Sequence, residues 1–308
     1  MSFNDNVTLD TSQVSGGGGG GGAPGGMVVG GGVGGIIILI LTLLFNGLNG
    51  GGGDPTGGTN AGFDSSQVAA GGDQSADAFA QCRTGADANR DTTCRVIGTV
   101  NSVQAYWADE LPRYGKEWQP TRTVLYNGRT QSACGTASNQ VGPFYCPLDK
   151  RVYIDASFFT ILEDQFGSSS GPLAQEYVVA HEYGHALQDQ LGLLDRGQQD
   201  PQGANSGSVR TELMADCLGG VWAKHATTVP DEDTGTPFLK PLSDQDIQDA
   251  LSAASSVGDD RIQQATQGRV NPESWTHGSA EARQRWFLKG FTTGDLNQCD
   301  TFSAATVE

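Results

Sequence analysis

Apolar residues recur at every third or fourth position through much of the chain after residue 76, and this spacing predicts a helix-rich fold. Residues 91–111 show it first, and Pro112 ends that helix because proline lacks the backbone N–H that a helix needs. The apolar face of this helix consists of Val96, Val100, Val103 and Trp107. Residues 121–126 and 151–155 are short runs rich in β-branched and aromatic residues, and they predict strands.

The same spacing predicts helices around residues 178–189, 209–225 and 279–289, and another that Ser243 caps. The apolar face of the helix after Ser243 consists of Ile247, Ala250, Leu251 and Ala254. Residues 132–149, between the two strands, are rich in turn formers and predict a loop. The predicted fold class is therefore α+β, mainly helical, with a small sheet that contains residues 151–155.

The chain before residue 76 has a different composition. Residues 1–26 are polar and then glycine-rich, so we predict a disordered N-terminus. Residues 27–48 are apolar and uncharged and predict one transmembrane helix, an anchor. A cleaved signal peptide is the alternative, although the positively charged N-terminal region and the A-x-A cleavage site that are typical of signal peptides are missing. Residues 49–75 are predicted to form a flexible linker. The folded domain is predicted at residues 76–301, and residues 302–308 are predicted to form a tail.

The formal net charge of −17 argues against a nucleic-acid partner, because phosphate backbones repel an acidic chain. The charge is typical of a solvated surface. The sequence does not indicate an oligomeric state.

Six cysteines occur without a CxxC pair, which argues against a cysteine zinc site. Their even number and the repeated spacing of Cys82/Cys94 in Cys134/Cys146 predict disulfides, with free buried thiols as the alternative. Among the many possible connectivities we favour Cys82–Cys94, Cys134–Cys146 and Cys217–Cys299. Disulfides indicate an oxidising compartment. We therefore expect a single-pass protein of the cell membrane with its domain outside the cytoplasm.

The segment HEYGH, residues 181–185, places two of the chain's four histidines one helical turn apart. His181 and His185 can thus bind one metal ion, and Glu182 can reach a metal-bound water without being a ligand. The pattern is H-E-x-x-H, the signature of zinc metallopeptidases. The competing interpretation is that both histidines are structural. We predict a zinc site with an open position for water.

A third ligand is expected from the helix at residues 209–225. Glu212 and Asp216 are again one turn apart, among apolar residues that indicate burial. Buried carboxylates need a partner, so we predict Glu212 as the third zinc ligand. Asp216 is predicted to accept the second N–H of a ligand histidine. An exposed acidic stripe is the alternative.

The two other histidines differ in their surroundings. His225 ends its helix and is predicted to lie on the surface. His277 lies in a loop just before a helix, where its side chain could project into a cleft and donate a hydrogen bond to an oxyanion. A structural loop histidine is the alternative.

Several long segments, in order, resemble the family of putative neutral zinc metallopeptidases, bacterial membrane-anchored proteins similar to gluzincins. They are YWADELP, SACGTASNQVGPFYCPLDKRVYIDASFF, VVAHEYGHALQ, RTELMADCLGGVWA, ALSAASSVGDDRIQ and THGSAEARQRWF, and they cover roughly residues 80–290. The resemblance implies a zincin-like, minimal gluzincin domain. It also implies zinc bound by His181, His185 and Glu212, with Glu182 as the catalytic base.

The predicted activity is zinc-dependent hydrolysis of peptide bonds in a peptide or protein substrate. Glu182 would activate a zinc-bound water, and His277 would stabilise the oxyanion. In related zincins an edge strand aligns the substrate, and residues 121–126 or 151–155 are the candidates. Two alternatives are a cell-surface binding or scaffold protein with a structural zinc and a hydrolase of non-peptide amides.

Overall fold

The computed structural model describes residues 3–17, 76–138 and 141–308. Its α-helices are α1 (Gly85–Ala88), α2 (Thr92–Glu110), α3 (Phe158–Phe166), α4 (Pro172–Gln190), α5 (Leu194–Gln198), α6 (Gly207–His225), α7 (Asp244–Ser256), α8 (Asp259–Gln267) and α9 (Ala280–Thr293). Its strands are β1 (Val14–Gly17), β2 (Arg122–Tyr126), β3 (Arg129–Ser132), β4 (Gly135–Ser138), β5 (Phe144–Cys146) and β6 (Arg151–Asp155). The predicted helix-rich α+β fold is confirmed.

A four-stranded sheet runs in the order β1–β2–β6–β5, and β3 and β4 form a separate hairpin. The strands β1, β2 and β6 are parallel, whereas β5 is antiparallel to β6. Four of the five residues in both β2 and β6 are buried, as expected for interior strands with both faces covered. The expectation that residues 121–126 or 151–155 form a sheet edge is therefore wrong.

Three helices form the layer that carries the candidate site, with α6 packed against α4 on one side and α9 on the other. Glycines at the crossings allow the close approach. A Cβ on Gly184 of α4 would lie 3.0 Å from Ala215 Cα of α6. A Cβ on Gly290 of α9 would lie 1.9 Å from the carbonyl oxygen of Cys217. Any side chain at Gly290 would therefore push α9 away from α6.

Residues 3–17, which we call the N-terminal arm, are part of the domain. The ring of Phe3 lies fully buried, and β1 pairs with β2. The side-chain amide of Asn101 on α2 makes two hydrogen bonds to the backbone of Asp10, of 2.9 and 3.0 Å. Asn89 binds the backbone of Phe3 in the same way, at 2.8 and 3.0 Å.

The prediction of disorder is thus wrong for the N-terminal arm, and residues 18–26 lie outside the described residues. Its few apolar residues, Phe3, Val7, Leu9 and Val14, cannot form a core alone. They complete a core whose other side chains come from a distant part of the sequence. Local composition does not reveal such a contribution.

Among the described residues, no helix combines the length and the apolar character that a membrane crossing requires. The predicted anchor, residues 27–48, and the predicted linker, residues 49–75, lie outside these residues. The N-terminal arm belongs to the same folded domain as the rest of the described residues, because β1 and β2 are hydrogen-bonded neighbours.

Three further predictions concern covalent and local structure. All three predicted disulfides are present, Cys82–Cys94, Cys134–Cys146 and Cys217–Cys299. The predicted loop at residues 132–149 instead contains β4 and β5, which are too short to show an alternating pattern. Residues 302–308 are not a separate tail, because Val307 is buried and a carboxylate oxygen of Glu308 accepts the N–H of Ser279 at 2.9 Å.

A buried glutamate on α4 stands out in the core. Glu176 is 1% exposed, and neither carboxylate oxygen has a hydrogen-bond partner among the described residues. Burial raises the pKa of Glu176 from 4.5 to about 7, although the charge of Arg95 opposes the shift. The folded protein therefore holds a proton here that the unfolded chain releases.

The proton on Glu176 predicts a pH-dependent stability. Between about pH 4.5 and pH 7 the folded state binds more protons, so stability falls as the pH rises through this window. At 1.4 kcal/mol per pKa unit the total loss is about 3 kcal/mol. Glu176→Gln should be more stable than wild type at pH 8 and nearly equal at pH 4.5, measured by urea unfolding. Exposed Glu273→Gln is the control, and an equal difference at both pH values would contradict the prediction.

A second prediction concerns the N-terminal arm. Phe3→Ala should lower the free energy of unfolding by roughly 3–5 kcal/mol, because it removes a fully buried aromatic ring. The matched control is Asn6→Ala in the same arm, where the side chain is exposed. Chemical unfolding of the full chain measures both. Equal midpoints for the two variants would show that the arm does not contribute to the core.

Candidate metal centre

Two packed helices carry the predicted ligands. Helix α4 has Pro172 in its first turn, where the missing N–H costs nothing, and it presents His181 and His185 one turn apart. Helix α6 is capped by Ser206, whose hydroxyl accepts a backbone N–H, and it presents Glu212. The structure brings all three predicted ligands together in a buried cluster.

Two imidazole nitrogens and the two oxygens of one carboxylate lie close together in this cluster. The Nε2 atoms of His181 and His185 are 3.2 Å apart. Glu212 Oε2 lies 3.2 Å from the His181 nitrogen, and Glu212 Oε1 lies 3.4 Å from the His185 nitrogen. A tetrahedral ion with ligand bonds of about 2.0–2.1 Å has ligand atoms roughly 3.3–3.4 Å apart. The distances between the three side chains are therefore close to those between the ligands of a zinc ion.

The proton positions on His185 follow from its neighbour Gln188. The Gln188 amide nitrogen donates to the carbonyl oxygen of Thr211 at 2.7 Å, so its Oε1 is the atom that faces His185. Oε1 can only accept, and it lies 2.9 Å from Nδ1 of His185. Nδ1 therefore carries the proton, and the Nε2 of a neutral His185 presents a lone pair to the cluster.

The Asp216 carboxylate determines which ring nitrogen of His181 carries a proton, as Gln188 does for His185. Its Oδ1 lies 2.8 Å from His181 Nδ1, which places the proton there. Burial alone lowers the pKa of His181, but the negative charge of Asp216 outweighs it and raises the pKa to about 10. A metal ion at Nε2 must therefore displace a proton, as is usual for metal sites.

The cluster chemistry fits a divalent cation. Two imidazole nitrogens and a carboxylate face one another, and they need a shared positive partner, which is the Nε2 proton of His181 or a metal ion that displaces it. Glu182, Glu212 and Asp216 bring three negative charges, whereas Arg283 brings one positive charge, all of them buried. Once His181 has released its proton, as metal binding requires, and Glu182 is ionised, the remaining charge of −2 matches a zinc ion. Imidazole and carboxylate are also ligands that zinc prefers.

Glu182 lies beside this cluster and is not one of its three members. Its Oε2 is buried without a hydrogen-bond partner among the described residues. Burial raises the pKa of Glu182, although the nearby imidazoles of His181 and His185 lower it. A buried carboxylate with a raised pKa and a free oxygen is suited to accepting a proton from a water molecule.

Arg283 is a buried site residue that the sequence analysis missed. Its guanidinium donates from Nε to Asp216 Oδ2 and from Nη2 to Asp216 Oδ1, both at 2.9 Å. The Tyr177 hydroxyl donates to the same Oδ1 and accepts from Arg283 at 3.2 Å. Asp216 is thus held from three sides. The helical spacing in the sequence indicates this burial, because Arg283 lies on the same face of α9 as Ala282, Trp286 and Phe287, which are all buried.

His277 also lines the cavity with His181, Glu182 and Glu212. Its Nδ1 lies 2.7 Å from the Thr276 hydroxyl and 3.7 Å from an oxygen of Asp259. The other Asp259 oxygen accepts the backbone N–H groups of residues 276–278. Asp259, at the start of α8, therefore anchors the loop that carries His277. The sequence offers only the acidic pair in GDDRIQ as a hint of this role.

A cavity of about 90 Å³ lies beside the cluster. Its charged and imidazole lining residues are His181, Glu182, Glu212, His277 and Arg283. The other lining residues are mostly apolar and come from residues 141–143, from α3, α4 and α8, and from Val257 after α7. His225 lies elsewhere, half-buried at the end of α6, stacked on Tyr106.

An α+β domain with an HExxH helix and a buried His/His/Glu cluster has the layout of a zinc-peptidase-like protein. The sequence matches the family described as "putative neutral zinc metallopeptidase" over residues 2–302. The chain belongs to this family, and the resemblance found in the sequence is confirmed.

Relatives are found in distant bacteria. A Mycobacterium tuberculosis protein, Rv2575, is 61% identical over 227 residues, which cover 74% of this chain and 76% of the relative. An Escherichia coli protein, YpfJ, is 40% identical over 220 residues, covering 70% and 73%. Both are described as uncharacterized proteins. No solved structure matches the chain.

The ion pair of Arg283 and Asp216 generates a prediction. Arg283→Met should lower the free energy of unfolding by about 3–5 kcal/mol, because it leaves Asp216 buried without its main cation. Arg285→Met is the control on the same helix, since Arg285 is exposed. Urea unfolding measures both variants. If Arg283→Met were as stable as Arg285→Met, the buried pair would not stabilise this site.

Proposed function

We propose that the protein is a zinc-dependent metallopeptidase that hydrolyses peptide bonds, with Glu182 as the general base. One observation carries the proposal. The Nε2 atoms of His181 and His185 and the Glu212 carboxylate face one another at 3.2–3.4 Å, beside the free oxygen of Glu182. Three protein ligands leave a fourth tetrahedral position open, which is typical of catalytic zinc sites.

Each residue has a distinct task in this proposal. Zinc, when bound by His181, His185 and Glu212, would acidify a water molecule and polarise the substrate carbonyl. Glu182 takes the proton from the attacking water at its free Oε2 and passes it to the leaving amine. His277, which lines the same cavity, donates a hydrogen bond to the oxygen of the tetrahedral intermediate.

The surrounding residues keep the ligands in place. Asp216 and Gln188 hold His181 and His185 in the tautomer whose Nε2 is free to bind metal. Arg283 and Tyr177 keep Asp216 ionised and oriented, and Arg283 contributes to the lowering of the Asp216 pKa to about 2, against the effect of burial. We assign the domain to the zincin-like, minimal gluzincin type, because an HExxH helix meets a glutamate from a second helix.

The outer strand β5 is our candidate for aligning an extended substrate. It is at the edge of the sheet, and residues 141–143 immediately before it line the cavity. An extended peptide could add to β5 as a further strand and so place its scissile bond near Glu182. We further propose a location outside the cytoplasm, which the three disulfides support.

A pair of substitutions separates catalysis from metal binding. Glu182→Gln should keep stoichiometric zinc but lower kcat/KM by roughly 10²–10⁴-fold, since it removes the base and not a ligand. His181→Ala should lose zinc, because a ligand is missing. Elemental analysis measures zinc, and cleavage of an unbiased peptide library, with and without chelator, measures activity. The starting protein is the purified full chain.

Exposed Glu273→Gln serves as the control for both measurements and should match wild type. Full activity of Glu182→Gln would overturn the assigned base. Equal zinc content in wild type and His181→Ala would overturn the assigned ligands. A zinc-loaded wild-type protein that cleaves no peptide would instead favour a binding or scaffold protein with a structural zinc.

A further inference from the structure

One carboxylate beside the loop of His277 has no task in the proposed chemistry. Glu308 accepts the backbone N–H of Ser279 at Oε1, over 2.9 Å, and the Ser279 hydroxyl donates to its Oε2. Ser279 is the residue immediately before α9, and its hydroxyl also accepts the N–H of Ala282 at 3.1 Å. It follows His277 by two positions, so Glu308 binds the end of the loop whose His277 lines the cavity.

Every backbone N–H from residue 276 to residue 280 donates to a carboxylate. Asp259 accepts three of them and Asp260 accepts one, and both residues belong to the first turn of α8. Glu308 accepts the remaining one, from Ser279. Carboxylates are favourable at this place because the positive end of the α9 dipole faces them. Two separate parts of the chain therefore fix one short loop.

Gly278 allows Glu308 to approach the loop. Its φ of +92° lies in the left-handed region that favours glycine. A Cβ at this position would lie 2.9 Å from Glu308 Oε1, so a side chain here would push the carboxylate away from Ser279. The backbone of the loop thus leaves the space that the Glu308 carboxylate occupies.

The backbone next to Glu308 is also fixed. Val307 is fully buried, and its carbonyl oxygen accepts the indole N–H of Trp286 on α9 at 3.0 Å. Its own N–H donates to Oδ1 of Asn205, just before α6, at 2.7 Å. The Glu308 carboxylate is therefore attached to a point that the two helices hold in place.

We propose that Glu308 is a positioning residue for the reaction, because its carboxylate fixes the loop at residues 276–279 and so holds His277 in the cavity. This inference rests on the proposed peptidase function, in which His277 donates to the oxygen of the tetrahedral intermediate. Such a donor must be fixed, because a displacement of about 1 Å can lower the rate by roughly 100-fold. Glu308 acts through His277 and does not touch the substrate.

Kinetics of Glu308 variants test the proposal. Glu308→Ala removes the acceptor of both Ser279 hydrogen bonds and should lower kcat by roughly 10-fold or more, with KM nearly unchanged. A loss confined to kcat is expected when the affected interaction is made only in the transition state. Glu308→Gln keeps an acceptor oxygen and should retain most of the activity. Thr306→Ala, at an exposed position nearby, is the matched control and should equal wild type.

A His277→Ala background separates the positioning of His277 from a general structural effect. In this background Glu308→Ala should not lower kcat further, because the group that it positions is already absent. A second loss of the same size in this background would overturn the proposal. Wild-type kcat in the single variant Glu308→Ala would overturn it as well.

Amide hydrogen exchange of the purified full chain gives a readout that does not depend on hydrolysis. Glu308→Ala should speed the exchange of residues 276–280 by roughly 10-fold or more, whereas Thr306→Ala should leave it unchanged. Equal exchange in the two variants would overturn the anchoring of the loop. Faster exchange in Glu308→Ala, together with no cleavage of the peptide library by wild type, would overturn the proposed function but support Glu308 as the anchor.

Discussion

The convergence of two imidazole nitrogens and a carboxylate in a buried site is the constraint on which the rest of the structure depends. His181, His185 and Glu212 meet at 3.2–3.4 Å, a distance at which their nitrogen and oxygen atoms repel unless a proton or a metal ion lies between them. Such a cluster is costly to bury. It persists only if the surrounding fold determines the orientation of each group.

The orientation of the cluster residues is fixed by hydrogen bonds to residues on other parts of the domain. Gln188 sets the tautomer of His185, and Asp216 sets that of His181. Asp216 in turn requires Arg283, which comes from α9. Helix α9 can approach α6 closely because Gly290 has no side chain. The position of the His181 ring in the cluster therefore depends on the absence of a side chain at Gly290.

The sequence predicted those parts of the site whose spacing is local. The pairs His181/His185 and Glu212/Asp216 are each one helical turn apart, and helical periodicity alone places each pair on one face. The disulfide pattern was also predicted, because the 12-residue separation repeats in Cys82–Cys94 and Cys134–Cys146 and leaves Cys217 and Cys299 to form the third pair. Arg283 and Asp259 were missed since their partners are far away in the sequence. The N-terminal arm was missed because four apolar residues in a polar segment do not indicate a core, and the side chains that pack against them come from α2 and other distant elements.

A crystal structure of the zinc-loaded protein, with data collected at the zinc absorption edge, tests the central claim most directly. The account predicts one anomalous peak, bound by Nε2 of His181, Nε2 of His185 and the Glu212 carboxylate, with the fourth position open towards Glu182. A peak elsewhere in the molecule, or a fourth protein ligand that closes the site, would contradict it.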